Sequence, residues 1–89
     1  GRHVLINLAC TLGHDVDIGD YSSVMPGCNI SGGVKIGECT FIGTGAKIIN
    51  DVSIGKNCVI GAGAVVIEDV PDNTTVVGVP AKPLIKTNL

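Results

Sequence analysis

The stretch IGECTF IGTGAK IINDVS IGKNCV IGAGAV, residues 36–65, repeats one pattern every six residues. Each unit begins with isoleucine, and its fifth residue is small or β-branched. The pattern extends in both directions, so that an aliphatic residue recurs at positions 6, 12, 18, 24, 30, 36, 42, 48, 54, 60 and 66. The small or β-branched slot follows four residues later, at Cys10, Val16, Ser22, Cys28, Val34, Thr40, Ala46, Val52, Cys58, Ala64 and Val70.

A period of six fits neither an amphipathic helix, which needs 3.6 residues, nor a single strand, which needs 2. It fits a short strand followed by a bend, and three such units close a triangular coil. Successive coils then stack at the spacing of paired parallel strands, about 4.8 Å. We therefore predict an all-β chain, a parallel β-helix of about 3.5 to 4 triangular coils with both repeating slots turned inward. Glycine, frequent just after the aliphatic slot, is expected to relieve strain at the corners.

The composition supports this architecture and excludes several partners. Hydrophobic residues make up 45% of the 89 residues but aromatic residues only 2%, so the core is built from small and branched aliphatic side chains. The net charge is −2 and no basic stripe exists, which argues against a nucleic-acid partner. The longest apolar run, residues 59–67, is too short to span a membrane.

The cysteines follow the repeat. Cys10, Cys28 and Cys58 occupy the small inward slot and are interpreted as compact core residues, whereas Cys39 falls outside it. Their spacing matches no metal or redox motif. A disulfide between Cys10 and Cys28, eighteen residues apart, is conceivable but less favoured than two buried thiols. We therefore expect a reducing, cytoplasmic compartment.

The repeat fails after Val70, because the next aliphatic position is occupied by Asp72. The following segment holds three of the four prolines. We predict a β-helix over residues 1–71 and a tail over residues 72–89 that is extended and leaves the coil, with Pro71 at the break.

Two stretches resemble a known family. The repeat together with EDVPDNTTVVGVPAKP, residues 68–83, resembles the hexapeptide-repeat acyltransferases, which fold as left-handed parallel β-helices. The stretch INLACTLGHDVDIGDYSSVMPG, residues 6–27, resembles the bacterial sugar O- and N-acetyltransferases of the sialic-acid O-acetyltransferase type. The resemblance implies a left-handed coil, acetyl-CoA as co-substrate, and a homotrimer with the coenzyme between neighbours. Members often carry an N-terminal βαβ domain that helps to hold the sugar nucleotide, and we expect that domain to be missing from these 89 residues.

The resemblance also implies catalytic residues. The histidine of the matching G-H-D stretch, the proposed general base of the family, maps onto His14, the following acid onto Asp15, and the asparagine of the I-N motif onto Asn7. The coil geometry adds an independent argument, because Gly32 and Gly33 lie eighteen residues after His14 and Asp15. Two residues without side chains leave a notch and bare backbone beside the imidazole, which suits a general base next to an oxyanion donor.

The remaining candidates concern the coenzyme. Many members have a second histidine near the acetyl group, where this chain has Ser23. Thr44 and Ala62 occupy equivalent slots eighteen residues apart, where the resemblance puts the coenzyme. Lys82 is expected either to meet a coenzyme phosphate as a point charge or to be a solvated tail lysine.

The sequence holds two histidines eleven residues apart, and a histidine metal site is not expected. We predict direct acetyl transfer, through a ternary complex, to a sugar or nucleotide-sugar hydroxyl or amine. The alternatives are an acyltransferase with a non-sugar acceptor, such as serine or an antibiotic, and a β-helix module without catalysis.

Overall fold

The computed structural model describes residues 1–84, and the chain there consists of very short strands joined by tight corners. These residues contain no helix, and therefore none of a length and apolarity that would cross a membrane. The thirteen strands are β1 Leu5–Ile6, β2 Thr11–Leu12, β3 Asp17–Ile18, β4 Ser23–Val24, β5 Asn29–Ile30, β6 Lys35–Ile36, β7 Phe41–Ile42, β8 Lys47–Ile48, β9 Ser53–Ile54, β10 Val59–Ile60, β11 Val65–Val66, β12 Thr75–Val77 and β13 Lys82–Pro83.

Each strand from β4 to β11 lies parallel to the strand three positions earlier in the chain. Leu5 pairs with Ser23, eighteen residues further on, and the same step links Asp17 to Lys35. The result is a prism with three faces. The first face contains β1, β4, β7 and β10, the second β2, β5, β8 and β11, and the third β3, β6 and β9. The predicted parallel β-helix of about 3.5 to 4 coils is confirmed.

The corners are formed by the residues between the strands. The first corner joins the first face to the second and comprises residues 7–10, 25–28, 43–46 and 61–64. The second corner joins the second face to the third at residues 13–16, 31–34 and 49–52, and in the last coil at 67–68. The third corner, residues 19–22, 37–40 and 55–58, leads back to the first face.

The two predicted inward slots form the core. The aliphatic slot is buried from Ile18 to Val66, and each such side chain contributes about 1.5–3 kcal/mol by leaving water. At the start of the chain the prediction is wrong, because Ile6 and Leu12 are 42% and 44% exposed. Both lie in the first coil, and no further coil covers their lower side in residues 1–84.

The corners use glycine in a way that the sequence did not predict. Every sixth residue from His3 to Gly63 has a positive φ, between 56° and 75°, and most of these residues are not glycine. The glycines that follow the aliphatic slot have no positive φ; they occur where coils touch. A Cβ on Gly37 would lie 2.6 Å from the carbonyl carbon of Gly55. These glycines therefore permit close backbone contact between coils rather than strain relief at the turn.

Buried hydroxyl groups connect the coils at the third corner. The Thr40 Oγ1 donates to the carbonyl of Gly55 at 2.8 Å and accepts the N–H of Cys58 at 3.2 Å. In the coil below, the Ser22 Oγ donates to Gly37 O at 2.8 Å and accepts the N–H of Thr40 at 3.1 Å. Each hydroxyl satisfies two backbone groups that would otherwise be buried without a partner.

All four cysteines are free thiols. Cys28 and Cys58 are buried and Cys10 is half-buried, as the small slot predicts, whereas Cys39 is exposed. The Cys10 and Cys28 thiols each donate to a backbone carbonyl, at 3.1 Å to Met25 O and at 3.1 Å to Gly43 O. Burial raises the pKa of the Cys28 thiol.

The tail does not leave the coil at Pro71 as predicted. Val70 pairs with Ile54 and Val76 with Ile60, both sixteen residues apart instead of eighteen. The second corner of the last coil is thus two residues shorter, and the inward slot continues at Val70 and Val76, which are both buried. Val70 accordingly takes the aliphatic slot rather than the small slot that the sequence assigned to it.

The rest of the tail closes the upper end of the prism. β13 pairs antiparallel with β12, so that Lys82 lies opposite Val77. Val65 donates its N–H to Gly78 O at 3.0 Å and accepts the N–H of Ala81 at 2.8 Å. Residues 85–89, the end of the predicted tail, lie outside the described part of the chain.

We expect Thr40→Val to lower the free energy of unfolding by about 1–3 kcal/mol, because it leaves Gly55 O and the Cys58 N–H buried without a partner. Thr44→Val is the matched control, since Thr44 is exposed and its hydroxyl makes no hydrogen bond within residues 1–84, and surface changes of this kind stay within about 0.5 kcal/mol. Urea unfolding followed by circular dichroism measures both. Equal stabilities of the two variants would contradict the role given to the buried hydroxyls.

We expect Gly37→Asn to destabilise the fold severely and Gly45→Asn to be tolerated. An asparagine Cβ at position 37 would enter the backbone of the next coil, whereas at position 45 it would meet nothing within 4 Å, in a left-handed conformation that asparagine accepts. Thermal unfolding should show a large drop in Tm, or no folded protein, for the first change only. The reverse order would mean that corner strain, not coil contact, selects the glycines.

Candidate functional site

His14 lies exposed in the second corner, at the first position of its turn, and Gly32 takes the same position in the next coil. The backbone joins the two coils here, because Gly33 donates its N–H to the carbonyl of His14 at 2.8 Å. A Cβ on Gly32 would lie 3.2 Å from His14 O. The structure thus brings His14, Asp15, Gly32 and Gly33 together, as the eighteen-residue step predicts.

The two glycines differ in what their amides offer. The N–H of Gly33 is used in the bond to His14, whereas the N–H of Gly32 makes no backbone hydrogen bond within residues 1–84. Of the two glycines, Gly32 is therefore the one whose amide is not used in a backbone hydrogen bond. Sequence alone did not separate the two.

Asp15 is the second residue of the same turn, with a φ of 60°. It is exposed, and within residues 1–84 it makes no hydrogen bond to His14. Its carboxylate adds negative charge to the corner without fixing the imidazole in the isolated chain.

The notch has an upper wall that the sequence analysis missed. The Asn50 Nδ2 lies 3.8 Å from the position that a Cβ would take on Gly32, and a Cβ on Gly33 would collide with the carboxylate of Asp51. Both residues follow the glycines by eighteen positions, and that spacing is the signal by which they could have been found.

Asn7 lies at the first corner, and the second face separates it from His14. Its Nδ2 donates to Val24 O at 3.1 Å and approaches the Met25 Sδ at 3.9 Å. Within one chain the Asn7 amide is therefore engaged with the next coil and does not contact His14.

The residues that are expected to bind the coenzyme lie around the first face and the first corner. Thr44 and Ala62 stack in the first corner, where Gly63 donates its N–H to Thr44 O at 2.8 Å. Ser23 is half-buried on β4, and Lys82 is exposed on β13 at the top of the first face. None of these four residues shares a corner with His14.

A column of glycines lies beside Thr44 and Ala62. Gly27, Gly45 and Gly63 stack at the first corner, each with a positive φ, and a Cβ on Gly45 or Gly63 would meet nothing within 4 Å. The backbone is therefore open to a ligand along this corner. Three glycines eighteen residues apart are visible in the sequence, but their shared corner was not recognised there.

The third corner carries an open groove of about 380 Å³ that contains none of the predicted site residues. Its floor includes Gly37 and Gly55, and its rim includes Asp20, whose pKa is lowered by hydrogen bonds from the backbone N–H and then the side chain of Arg2. The histidine and the amide of Gly32 lie at another corner, so the groove is not the candidate site. Residues 1–84 contain no group of three His, Cys, Asp or Glu side chains that would hold a metal ion.

Comparisons with known proteins agree with this geometry. Residues 33–68 match the family described as bacterial transferase hexapeptide (six repeats). No curated protein sequence matches the chain.

Three solved structures are similar to it. The acetyltransferase domain of PglB from Neisseria gonorrhoeae FA1090, in complex with acetyl coenzyme A, has a TM-score of 0.89 and 43% identity over 91% of this chain. A mutant perosamine N-acetyltransferase from Caulobacter crescentus, in complex with CoA and GDP-perosamine, has a TM-score of 0.75 and 28% identity over 93%. A maltose O-acetyltransferase from Clostridium difficile 630 has a TM-score of 0.76 and 26% identity over 97%.

The chain spans 40%, 54% and 67% of the length of these three structures. The matched repeat and the shared fold nevertheless cover nearly all of the described residues. On these grounds residues 33–68 are identified as bacterial transferase hexapeptide repeats, and the fold as a left-handed β-helix like that of these acetyltransferase structures.

Proposed function

We propose that the chain is the catalytic β-helix of an acetyltransferase that transfers the acetyl group of acetyl-CoA to a hydroxyl or amine of a sugar or nucleotide sugar. The observation that carries this proposal is the position of His14 in the turn directly below Gly32, a residue without a side chain whose N–H makes no backbone hydrogen bond within residues 1–84. A base and a hydrogen-bond donor side by side are what acyl transfer requires.

His14 acts as the general base. Its imidazole is exposed, so it can accept the proton of the attacking hydroxyl or amine. Asp15, its neighbour in the turn, would orient the imidazole or the acceptor in the assembled site. Asn7 belongs to the acceptor side of the site, where its carbonyl oxygen is available because its amide nitrogen is already engaged.

Gly32 supplies the oxyanion donor. Acetyl-CoA provides an acetyl group that is already activated as a thioester. The Gly32 N–H would donate to the carbonyl oxygen as negative charge develops on it, and removal of one such donor typically costs about 10²–10³ in rate. The coenzyme thiolate is a good leaving group, so the transfer is direct and needs no enzyme nucleophile.

The coenzyme would follow the first corner. Ser23, Thr44 and Ala62 border the open glycine column there. Lys82 lies on β13, at the top of the first face. The similarity to structures holding acetyl-CoA or CoA supports this assignment. Ser23 would offer one hydrogen bond near the acetyl group, and Lys82 a point charge for a phosphate.

A homotrimer completes the site. Within one chain the second face separates His14 and Gly32 from the coenzyme residues, so the second corner of one chain must meet the first corner of another. The first face supports such packing, because four of its outward residues are apolar and between 39% and 54% exposed, namely Leu5, Phe41, Val59 and Val77. Ser23 and Thr75 are the polar residues in register with them.

The proposed class of acceptor is inferred from the solved structures that are similar to this chain. The perosamine enzyme is held in complex with GDP-perosamine, and the maltose enzyme is named for a sugar, which supports a sugar or nucleotide-sugar acceptor here. Four free thiols agree with the proposed cytoplasmic location.

We expect His14→Ala to lower kcat by about 10²–10⁴, because proton transfer by a positioned base contributes that much. Coenzyme A release with a panel of amino sugars and nucleotide sugars measures the rate, and calorimetry with CoA checks that binding persists. His3→Ala is the matched control. The His3 ring stacks on Tyr21 at the third corner, away from the notch at the second corner, so this change should leave turnover unchanged.

Two outcomes would contradict the proposal. Undiminished turnover of His14→Ala would exclude this base. A native chain that neither binds CoA nor acetylates any sugar would favour a β-helix module without catalysis, and acetylation of serine or an antibiotic alone would exclude the sugar acceptor.

We expect alkylation of Cys39 to leave turnover intact, because direct transfer uses no thiol and Cys39 lies at the third corner. Iodoacetamide at pH 8 should label Cys39 and spare Cys28 and Cys58, because both are buried. Burial also raises the pKa of the Cys28 thiol, so that it forms little thiolate. Peptide mass mapping identifies the labelled residue, and Cys39→Ser serves as the control. Inactivation that follows Cys39 labelling and is absent from the serine variant would point to a covalent mechanism.

A further inference from the structure

The second face carries a chain of polar side chains that the proposed mechanism does not use. Its outward positions in successive coils are Thr11, Asn29 and Lys47, in register on β2, β5 and β8. The Lys47 Nζ donates to Asn29 Oδ1 at 3.1 Å, and the Asn29 Nδ2 donates to Thr11 Oγ1 at 2.5 Å. We call these three residues the polar ladder.

The orientation of the Asn29 amide follows from its partners. A lysine ammonium only donates, so the oxygen of Asn29 must face Lys47 and the nitrogen must face Thr11. Asparagine is otherwise disfavoured in strands. Asn29 is thus a poor strand former at an outward strand position, and both ends of its amide are engaged. We take this to indicate that Asn29 serves to hold Lys47.

Lys47 is a positioned cation without a counter-ion. Residues 1–84 contain one ion pair, between Arg2 and Asp20 at the third corner. The outward side chains of the second face include no carboxylate, and Lys47 is exposed with two of its three donors unused. Such an ammonium suits an anionic oxygen, and phosphate is the anion that lysine binds as a point charge.

The second face lies between the two corners that carry the proposed site. One edge continues into Thr44 and Ala62, and the other into His14 and Gly32. Packing of the apolar first face against a neighbour would leave the second face beside the groove between chains. A ligand that reaches from one corner to the other would therefore pass Lys47.

We propose that the polar ladder holds Lys47 as an anchor for a phosphate group of a ligand bound in this groove. The inference rests on the proposed function and deepens it, because it requires a phosphorylated ligand. The phosphate belongs either to coenzyme A or to the nucleoside diphosphate of a nucleotide-sugar acceptor, and the chemistry at Lys47 is the same for both.

The test measures binding of CoA and of GDP to the 89-residue chain by calorimetry, with pantetheine as a phosphate-free probe. We expect Lys47→Met to weaken the binding of one phosphate probe about tenfold and to leave pantetheine unaffected. Lys47→Arg should restore most of the affinity. Weaker CoA binding alone assigns the phosphate to the coenzyme, and weaker GDP binding alone assigns it to the acceptor.

The chain offers a matched control in Lys35, which begins an identical Lys-Ile strand on the third face but has Asp17 and Ser53 as its register neighbours. Lys35→Met should change neither affinity. Asn29→Ala should weaken the same probe as Lys47→Met by a few-fold without lowering Tm, because it releases the ammonium and removes nothing from the core.

The anchor is refuted if the native chain binds neither CoA nor GDP, if Lys47→Met binds both as the native chain does, or if Lys35→Met has an equal effect. The acetyl-transfer assay distinguishes a failure of the phosphate anchor from a failure of the proposed function. A chain that binds phosphate through Lys47 but acetylates nothing refutes the enzyme, and an active chain with Lys47-independent binding refutes only the anchor.

Discussion

Close contact between the backbones of successive coils is the constraint on which this structure depends. Strands of two residues cannot stand alone, so each is stabilised by the parallel strand eighteen residues before or after it. That contact requires residues without a side chain where coils touch and small residues inside each corner. The buried isoleucines fill the space that remains, and the few aromatic residues of the chain are kept out of it.

The same constraint explains what the sequence could predict. A six-residue period has one simple geometric solution, so the three faces, the inward slots and the vertical neighbours of His14 followed from counting. The exposure of Ile6 and Leu12 did not, because the period describes a coil with neighbours on both sides, whereas the described residues place a neighbour on only one side of the first coil. The function of the glycines was also misjudged, since both corner strain and coil contact select the same residue type.

The end of the repeat was misread for a related reason. Asp72 breaks the count of six, but the chain compensates by shortening one corner, after which Val70 and Val76 return to the inward slot. Counting in steps of six residues cannot predict such a deletion, whereas the hydrogen-bonded pairing of the strands shows it directly. At the site, counting placed His14 below Gly32, but only the backbone bonds show that the amide of Gly33 is occupied and that of Gly32 is not.

The three corners have become chemically different although one repeat builds them all. The first has an open glycine column, the second the histidine and its bare backbone, and the third buried hydroxyl groups. Insertions or deletions of whole six-residue units within the stack are therefore restricted in length. A change of eighteen residues adds or removes one coil and keeps every column of equivalent residues aligned. A change of six or twelve residues instead rotates all later coils by one or two corners. Such a rotation would preserve the fold and its core but would move each column of residues to a different corner of the prism. The β-helix can therefore lengthen or shorten only by whole coils.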